Sequence, residues 1–175
     1  MAPSSYQPPT RGDKAEGKTH SQTAESNLAQ STATVSKVLE AKGRDIVAVR
    51  PDDTIATVVG VLRDKRIGAV LVTDDAGALV GILSERDIVR ELSDVGKSCL
   101  DQPVSAYMTS KLVTCTSKDT AQDILGTMTE GRFRHMPVMD GDAMIGLISI
   151  GDVVKAQLAV LAMEKEALEG MIKGF

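Results

Sequence analysis

The sequence predicts an α/β (α+β) fold made of two tandem copies of one unit, in the order strand, helix, strand, strand, helix. Residues 35–89 can be laid over residues 104–154, and both stretches reach a Ser-x-x-Asp motif directly after a glycine and two apolar residues. Apolar residues also recur with the same helical phase in the two stretches. Agreement of phase and motif in the same order along two stretches is the signature of an internal repeat.

The first helix of each copy is predicted by apolar residues at i, i+3, i+4 and i+7, a spacing that places them on one face. They are Ile55, Val58, Val59 and Leu62 in the first copy and Ala121, Ile124, Leu125 and Met128 in the second. An Asp-Thr pair precedes each helix, at 53–54 and 119–120. Such residues favour helix N-caps, so both helices are expected to begin there.

Strands are predicted on both sides of these helices. A short β-like run precedes each helix, over 46–49 and 112–115. Two more runs follow each helix around a tight polar turn, over 69–73 and 78–83 in the first copy and over 136–139 and 143–148 in the second. Because a copy of around sixty residues buries too little surface to be stable alone, we expect the two halves to pack together about a pseudo-twofold axis.

Composition divides the chain into a flexible tail over 1–33, repeats over 34–98 and 99–160, and a C-terminal helical extension over 161–175. The tail is rich in Ser, Thr, Gln and Pro and nearly free of aliphatic residues, so we expect it to bury too little surface to order itself. It carries one arginine and three acids, whereas mitochondrial transit peptides are rich in arginine and poor in acids. This composition disfavours a transit peptide.

Several classes of function are disfavoured by composition. The net charge of −4 and an aromatic content of 2% disfavour a nucleic-acid surface. No apolar run approaches the roughly 20 residues that cross a bilayer. Cys99 and Cys115 stand apart, and His135 is the only histidine beyond the tail, so no disulfide framework or metal site is expected. We expect a cytoplasmic protein that binds neither nucleic acid nor membrane, with the mitochondrial matrix as the alternative compartment.

The two Ser-x-x-Asp motifs provide the first candidate binding residues. Ser84 and Asp87 in the first copy, and Ser149 and Asp152 in the second, open a helix directly after an apolar strand. A serine with an acid three residues later is also a plain capping box, which satisfies orphan amides at a helix start. The helix start nevertheless offers amides and a positive dipole end to an anion, and the carboxylate can accept the hydroxyls of a ribose.

The stretch "GRFRHMPV" concentrates positive charge on the second copy, where the first copy reads "DKRIGAVLV". Arg134 beside His135 is the best candidate for a phosphate clamp, because charge-assisted hydrogen bonds are the strong ones. The alternatives are a solvated helix end for Arg132 and a satisfied strand-edge histidine for His135. Arg86, inside "SERD", is either an exposed first-turn residue or a second contributor to the same groove.

Taken together, "GILSERDIV", "GRFRHMPV" and "IGLISIGDVV" resemble the cystathionine β-synthase (CBS) domain pair, also called a Bateman module, over residues 34–160. The resemblance implies a small two-repeat protein that binds an adenosine-containing ligand, such as AMP, ADP, ATP or NAD(H), in the clefts between its repeats. It also implies a regulatory module without chemistry of its own, which relays ligand binding to an unidentified partner protein.

The same resemblance implies which residues lie against the adenine. They are Thr114, Met136 and Pro137 for the second site, and Asp45, Ile46 and Val47 for the first. Pro137 also fits a plain role as an edge-strand marker. Because the first copy lacks the Arg-His-x-Pro group, its site is expected to be weaker, to prefer a different ligand, or to be empty.

The C-terminal stretch is longer than a core helix needs. Val154, Leu158, Leu161, Leu168 and Ile172 follow steps of four and three, interrupted at Lys165, which indicates a seam for a second copy in a homodimer. The alternative is that this stretch packs on its own domain.

Two other functions stay open beside the regulatory one. A nucleotide-hydrolysing enzyme is disfavoured because no Ser/His/Asp or Cys/His constellation and no Walker-type glycine loop is visible. A dimeric scaffold with vestigial pockets is expected to fold normally and to bind no small molecule.

Overall fold

The computed structural model describes residues 33–173, and the side chains of residues 33–172. In chain order the elements are α1 (Val35–Lys42), β1 (Ala48–Val49), α2 (Ile55–Lys65), β2 (Ala69–Thr73), β3 (Leu79–Ser84), α3 (Glu85–Val95), two 3₁₀ turns (Gly96–Asp101 and Val104–Ala106), β4 (Cys115–Thr116), α4 (Ala121–Gly131), β5 (His135–Asp140), β6 (Ala143–Ser149) and α5 (Ile150–Lys173). The order strand, helix, strand, strand, helix therefore occurs twice, as predicted. The predicted tail lies outside the described residues, except for Ala33, which is buried.

Each repeat forms a three-stranded sheet with the same topology. β1 pairs with β2 in parallel and β2 pairs with β3 in antiparallel, and β4, β5 and β6 repeat this arrangement. The first hairpin pairs Ala69 with Ser84, and the second pairs His135 with Ser149. Both hairpins thus bring the start of their first strand beside the serine that precedes the next helix.

Each sheet packs with helices around its own aliphatic core, and the opening segment of each copy crosses to the other core. Val35 and Leu39 of α1 are buried in the second core, whereas Val104 is buried in the first. Backbone hydrogen bonds hold the exchange: Val35 N donates to Asp119 O at 2.9 Å, and Val104 N donates to Asp53 O at 2.8 Å. This exchange places α1, from the beginning of the first repeat, against the second repeat.

The boundaries of the two inner helices follow the predicted signals. Thr54 and Thr120 are the N-caps of α2 and α4, and each side chain accepts a backbone hydrogen bond at 3.2 Å. Both helices end at an arginine in the left-handed region, Arg66 with φ 54° and Arg132 with φ 56°. A left-handed residue is a common way to end a helix. In the second repeat it leads directly into the turn before β5.

Several elements differ from the prediction. The first strand of each repeat covers residues 48–49 and 115–116, and not 46–49 and 112–115. In the second repeat, Thr109 still bridges Ile82 of the first sheet, so the segment that follows crosses between the sheets and joins β5 only at Cys115.

Helix α1 is absent from the predicted unit because it is only eight residues long. Val59, predicted on the buried face of α2, is 40% exposed because the apolar stripe of that helix is narrow.

The last helix of the second repeat and the predicted extension form one continuous helix, α5. Its apolar residues beyond Val153 are largely exposed, with Leu158 at 60% and Leu168 at 61%. No helix within the described part of the chain is both long enough and apolar enough to cross a membrane.

Candidate functional site

A cavity of about 470 Å³ lies between the two repeats. The first repeat contributes the end of β3 and the first turns of α3, together with Gly68, the residue before β2. The second repeat contributes segments 109–113 and 131–135, together with Pro137 of β5. Because both repeats supply its walls, a ligand in this cavity contacts both of them.

The acidic side of the cavity is a capping box at the start of α3. Asp87 Oδ2 accepts hydrogen bonds from Ser84 N at 3.1 Å and from Ser84 Oγ at 2.6 Å, while Asp87 N donates to Ser84 Oγ at 3.4 Å. Asp87 Oδ1 is 3.9 Å from Arg90 Nη1, too far for a hydrogen bond. The capping box therefore holds the carboxylate in place through one oxygen and leaves the other able to accept a ligand hydroxyl.

Positive charge is concentrated on the same cavity. The cationic residues that line it are Arg86, Arg90, Lys111, Arg132 and Arg134. The acids that line it are Glu85 and Asp87. An excess of cations in a cleft raises the local concentration of anions, so the cavity favours a negatively charged ligand although the chain as a whole is acidic.

His135 begins β5 and lies against the first repeat. A Cβ built on Gly68 would lie 3.3 Å from His135 Cε1, so the ring sits directly over the glycine. Burial lowers the pKa of His135, as do the charges of Lys42 and Arg134, while Asp152 and Glu85 act in the opposite direction, and the net pKa is lower. The imidazole is therefore neutral at pH 7 and has one nitrogen that can donate and one that can accept.

The carboxylate that corresponds to Asp87 in the second repeat is held differently. Asp152 Oδ2 accepts from Ser149 N at 2.8 Å and Ser149 Oγ at 2.7 Å, and also from Lys42 Nζ of α1 at 2.6 Å. Burial raises the pKa of Asp152, but the hydrogen bonds from Lys42 and Ser149 and the charge of Lys42 outweigh it, so the net pKa is lowered. Asp152 is thus an ionised carboxylate already paired with an ammonium group.

The structure brings together some of the predicted site residues and separates others. Those that line the cavity are Ser84, Arg86, Asp87, Arg134, His135 and Pro137. The other predicted residues that were assigned to adenine lie elsewhere. Met136 is fully buried in the second core, and Val47 packs against the first core. Asp45 and Ile46 are exposed, and Thr114 lines a separate open depression beside Cys115. Arg134 and His135 therefore share a cavity with Asp87 of the other repeat, while Ser149 and Asp152 lie with Lys42.

Three charged residues near these carboxylates are missing from the sequence-based prediction. Arg90 lies three residues after Asp87 on the same helix face, a spacing that the sequence displays. Lys42 and Lys111 are each the seventh residue after the valine that opens its copy, Val35 or Val104, so the overlaid repeats also pair them. Their different surroundings follow from α1, which is helical to Lys42 while residues 109–114 are not.

The cysteines lie in the cores. Cys99 and Cys115 are both buried free thiols, and burial together with the charge of Asp119 raises the pKa of Cys115 to about 12. Within residues 33–173, no three His, Cys, Asp or Glu side chains come close enough to hold a metal ion.

Both repeats match the model of a known domain family. The model of the CBS domain matches the chain twice, over residues 34–94 and 104–159. The chain belongs to the CBS-domain family. The resemblance drawn from its motifs and the predicted two-repeat fold are both confirmed, and the CBS pair is a regulatory module.

Relatives with a CBS pair agree over most of the chain. The mitochondrial CBS domain-containing protein CBSX3 of Arabidopsis thaliana is 33% identical over 151 residues, covering 82% of this chain and 73% of that protein. The solved CBS-domain protein ATU1752 of Agrobacterium tumefaciens is 44% identical, with a TM-score of 0.70 over 72% of this chain and 94% of that one. The CBS pair of protein MJ0100, solved with 5'-methylthioadenosine and S-adenosyl-L-methionine, shares the fold at 18% identity, with a TM-score of 0.63 over 71% of this chain and 94% of that one.

Proposed function

We propose that this chain is a regulatory module that binds an adenosine-containing nucleotide, AMP, ADP, ATP or NAD(H), in the cavity between its CBS repeats. One observation carries the proposal: the cavity joins Asp87 of the first repeat to Arg134 and His135 of the second. The adenosine ligands in the solved MJ0100 pair support adenosine as the chemistry that this fold accommodates.

Asp87 is suited to the ribose. An ionised carboxylate accepts hydrogen bonds from both hydroxyls of a ribose, as acidic residues do in dinucleotide folds. The Ser84 hydroxyl and backbone amide hold the acid at 2.6 and 3.1 Å, so its orientation is set before a ligand arrives. A preorganised acceptor loses little entropy on binding.

The surrounding cations are suited to phosphate. Arg134 lies on the second repeat, across the cavity from α3, and Lys111 and Arg132 line the same wall. Charge-assisted hydrogen bonds from such groups bind phosphate oxygens strongly. The excess of cations over acids therefore favours an anionic nucleotide over a ligand with a cationic centre such as S-adenosyl-L-methionine.

Regulation follows from the walls of the cavity. Since both repeats contact the ligand, a nucleotide that binds one arrangement of the repeats more tightly than another shifts the population toward it. An unidentified partner protein then reads that arrangement. A ligand that binds both arrangements with the same affinity does not change their populations. The module can therefore distinguish two nucleotides only if their ratios of affinity for the two arrangements differ.

Titration of the full chain with AMP, ADP, ATP, NAD and NADH, by calorimetry and by thermal shift, tests this proposal. We expect at least one of these nucleotides to bind, and Arg134→Ala to weaken the binding about 10- to 100-fold, since one charge-assisted hydrogen bond contributes about 1.5–3 kcal/mol. Arg44→Ala is the matched control, because Arg44 is exposed and does not line the cavity.

The other functions give different results in the same experiment. No response to any nucleotide from the folded chain leaves the scaffold with vestigial pockets as the better account. Release of phosphate by the pure chain, lost in Arg134→Ala, supports the nucleotide-hydrolysing enzyme.

We further propose that α5 pairs with a second copy of the chain, as its heptad spacing indicates. The seam residues Leu161 and Leu168 are 51% and 61% exposed. Light scattering coupled to size exclusion is expected to give twice the chain mass for the wild type and the single mass for Leu161→Glu/Leu168→Glu. Ala159→Glu/Ala167→Glu, exposed on the same helix but off the seam, is expected to stay dimeric. A monomeric wild type overturns the pairing.

A further inference from the structure

The carboxylates of the two capping boxes, Asp87 and Asp152, are not equivalent. Asp87 and Asp152 hold the same place in the two repeats, and each is fixed by the serine three residues before it. Only Asp152 is also bound by a lysine, since Lys42 Nζ lies 2.6 Å from its Oδ2. Within the described residues, Lys111, which matches Lys42 in the overlaid copies, lines the Asp87 cavity without pairing with Asp87.

Lys42 also takes over a backbone contact. In the first repeat, Thr109 N donates to Ile82 O at 2.9 Å. The residue equivalent to Ile82 is Leu147, one position after the matching glycine, and its carbonyl accepts from Lys42 Nζ at 2.9 Å. The lysine side chain thus replaces the backbone segment that pairs with β3 in the first repeat.

The position of Lys42 is fixed by the core. Lys42 is the last residue of α1, and Leu39, one turn earlier, is 1% exposed in the second core. Leu39 approaches the backbone of β6 closely, since a Cβ on Gly146 would lie 2.8 Å from Leu39 Cδ2. Packing of α1 therefore places the ammonium group beside the Asp152 carboxylate.

We propose that Lys42 closes the second nucleotide site of this chain, so that one nucleotide binds per chain, in the cavity at Asp87. Lys42 Nζ is a third donor to Asp152 Oδ2, whereas Asp87 Oδ2 has two, so a ribose hydroxyl that approaches this oxygen of Asp152 would have to displace a charge-assisted hydrogen bond. This inference rests on the proposed function for its ligand, but it concerns the number of sites and the residue that sets it. Removal of the lysine charge opens the second site.

We expect substitution of Lys42 to preserve the fold. The Lys42 side chain is 37% exposed and that of Asp152 is 25% exposed, and ion pairs of this kind contribute little to stability. Lys42→Met keeps the aliphatic stem and removes the charge, and Lys42→Arg keeps the charge. Lys155→Met is the matched control, because Lys155 is an exposed lysine on α5.

Calorimetric titration with ATP and, separately, with AMP measures the number of sites per chain. We expect one site for the wild type, Lys42→Arg and Lys155→Met, and two sites for Lys42→Met. Adding Asp152→Ala to Lys42→Met is expected to return the count to one, which identifies the new site. Thermal unfolding of every variant verifies that each is folded, and Lys42→Gln replaces Lys42→Met if the latter is not.

Each other outcome has a distinct meaning. Two sites in the wild type, or one site in both the wild type and Lys42→Met, overturns the closure by Lys42 and leaves the proposed function in place. No site in the wild type and one in Lys42→Met supports the closure but overturns the assignment of the Asp87 cavity. No binding to either overturns the proposed function and this inference with it.

Discussion

Replacement of Leu39 with alanine is expected to lower the free energy of unfolding by about 2–5 kcal/mol, the usual cost of removing a large aliphatic side chain from a core. Leu39 is 1% exposed and packs in the second core, far along the chain from most of its neighbours. Urea denaturation monitored by circular dichroism measures the effect. The size of the loss reports whether α1 is an integral part of the second repeat.

The control is Val89→Ala, which removes an aliphatic side chain that is 65% exposed on α3. Substitutions at such surface positions usually change stability by less than about 0.5 kcal/mol. If Leu39→Ala lowers the free energy of unfolding as little as Val89→Ala does, α1 does not pack in the second core in solution. The packing of Leu39 then no longer explains why Lys42 lies beside Asp152.

Asp87→Asn is expected to weaken nucleotide binding about 10- to 100-fold, because hydrogen bonds to a charged acceptor contribute about 1.5–3 kcal/mol. Asparagine keeps an oxygen that can accept from Ser84, so the start of α3 retains its cap. The dissociation constant from calorimetry measures the loss, with AMP and ATP as ligands.

Asp152→Asn is the matched control for that experiment. Asp152 makes the same serine contacts but is paired with Lys42 and does not line the Asp87 cavity, so its replacement is expected to leave the affinity of that cavity nearly unchanged. The reverse result, a loss in Asp152→Asn and none in Asp87→Asn, would place the ligand at the second carboxylate and contradict the cavity assignment.

The repeat itself could be predicted from the sequence because its signals are local. The phase of the apolar residues in α2 and α4, and the threonine caps at Thr54 and Thr120, need only neighbouring residues to act. The capping boxes at Ser84 and Ser149 are equally local. These elements are therefore found in the structure close to where the sequence places them.

The composition of the site could not be predicted in the same way, because it depends on contacts between distant segments. Position in the chain puts Arg134 and His135 in the same repeat as Ser149 and Asp152 and does not indicate which carboxylate they face. In the structure, the way the two repeats pack puts Arg134 and His135 into the cavity of Asp87. Lys42 reaches a residue 110 positions away, a distance at which no sequence spacing carries information.

The exchange of opening segments between the repeats has a consequence for how the protein is made. Residues of the first core run from Val47 to Met108 in one continuous stretch, so that core can close as soon as Met108 has left the ribosome. The second core needs α1 and also residues as late as Val153. During synthesis the apolar face of α1 therefore stays exposed until the residues of the second core have been made. Of the helices within residues 33–173, α1 is made first, and its apolar face is buried only when the start of α5 has also been made.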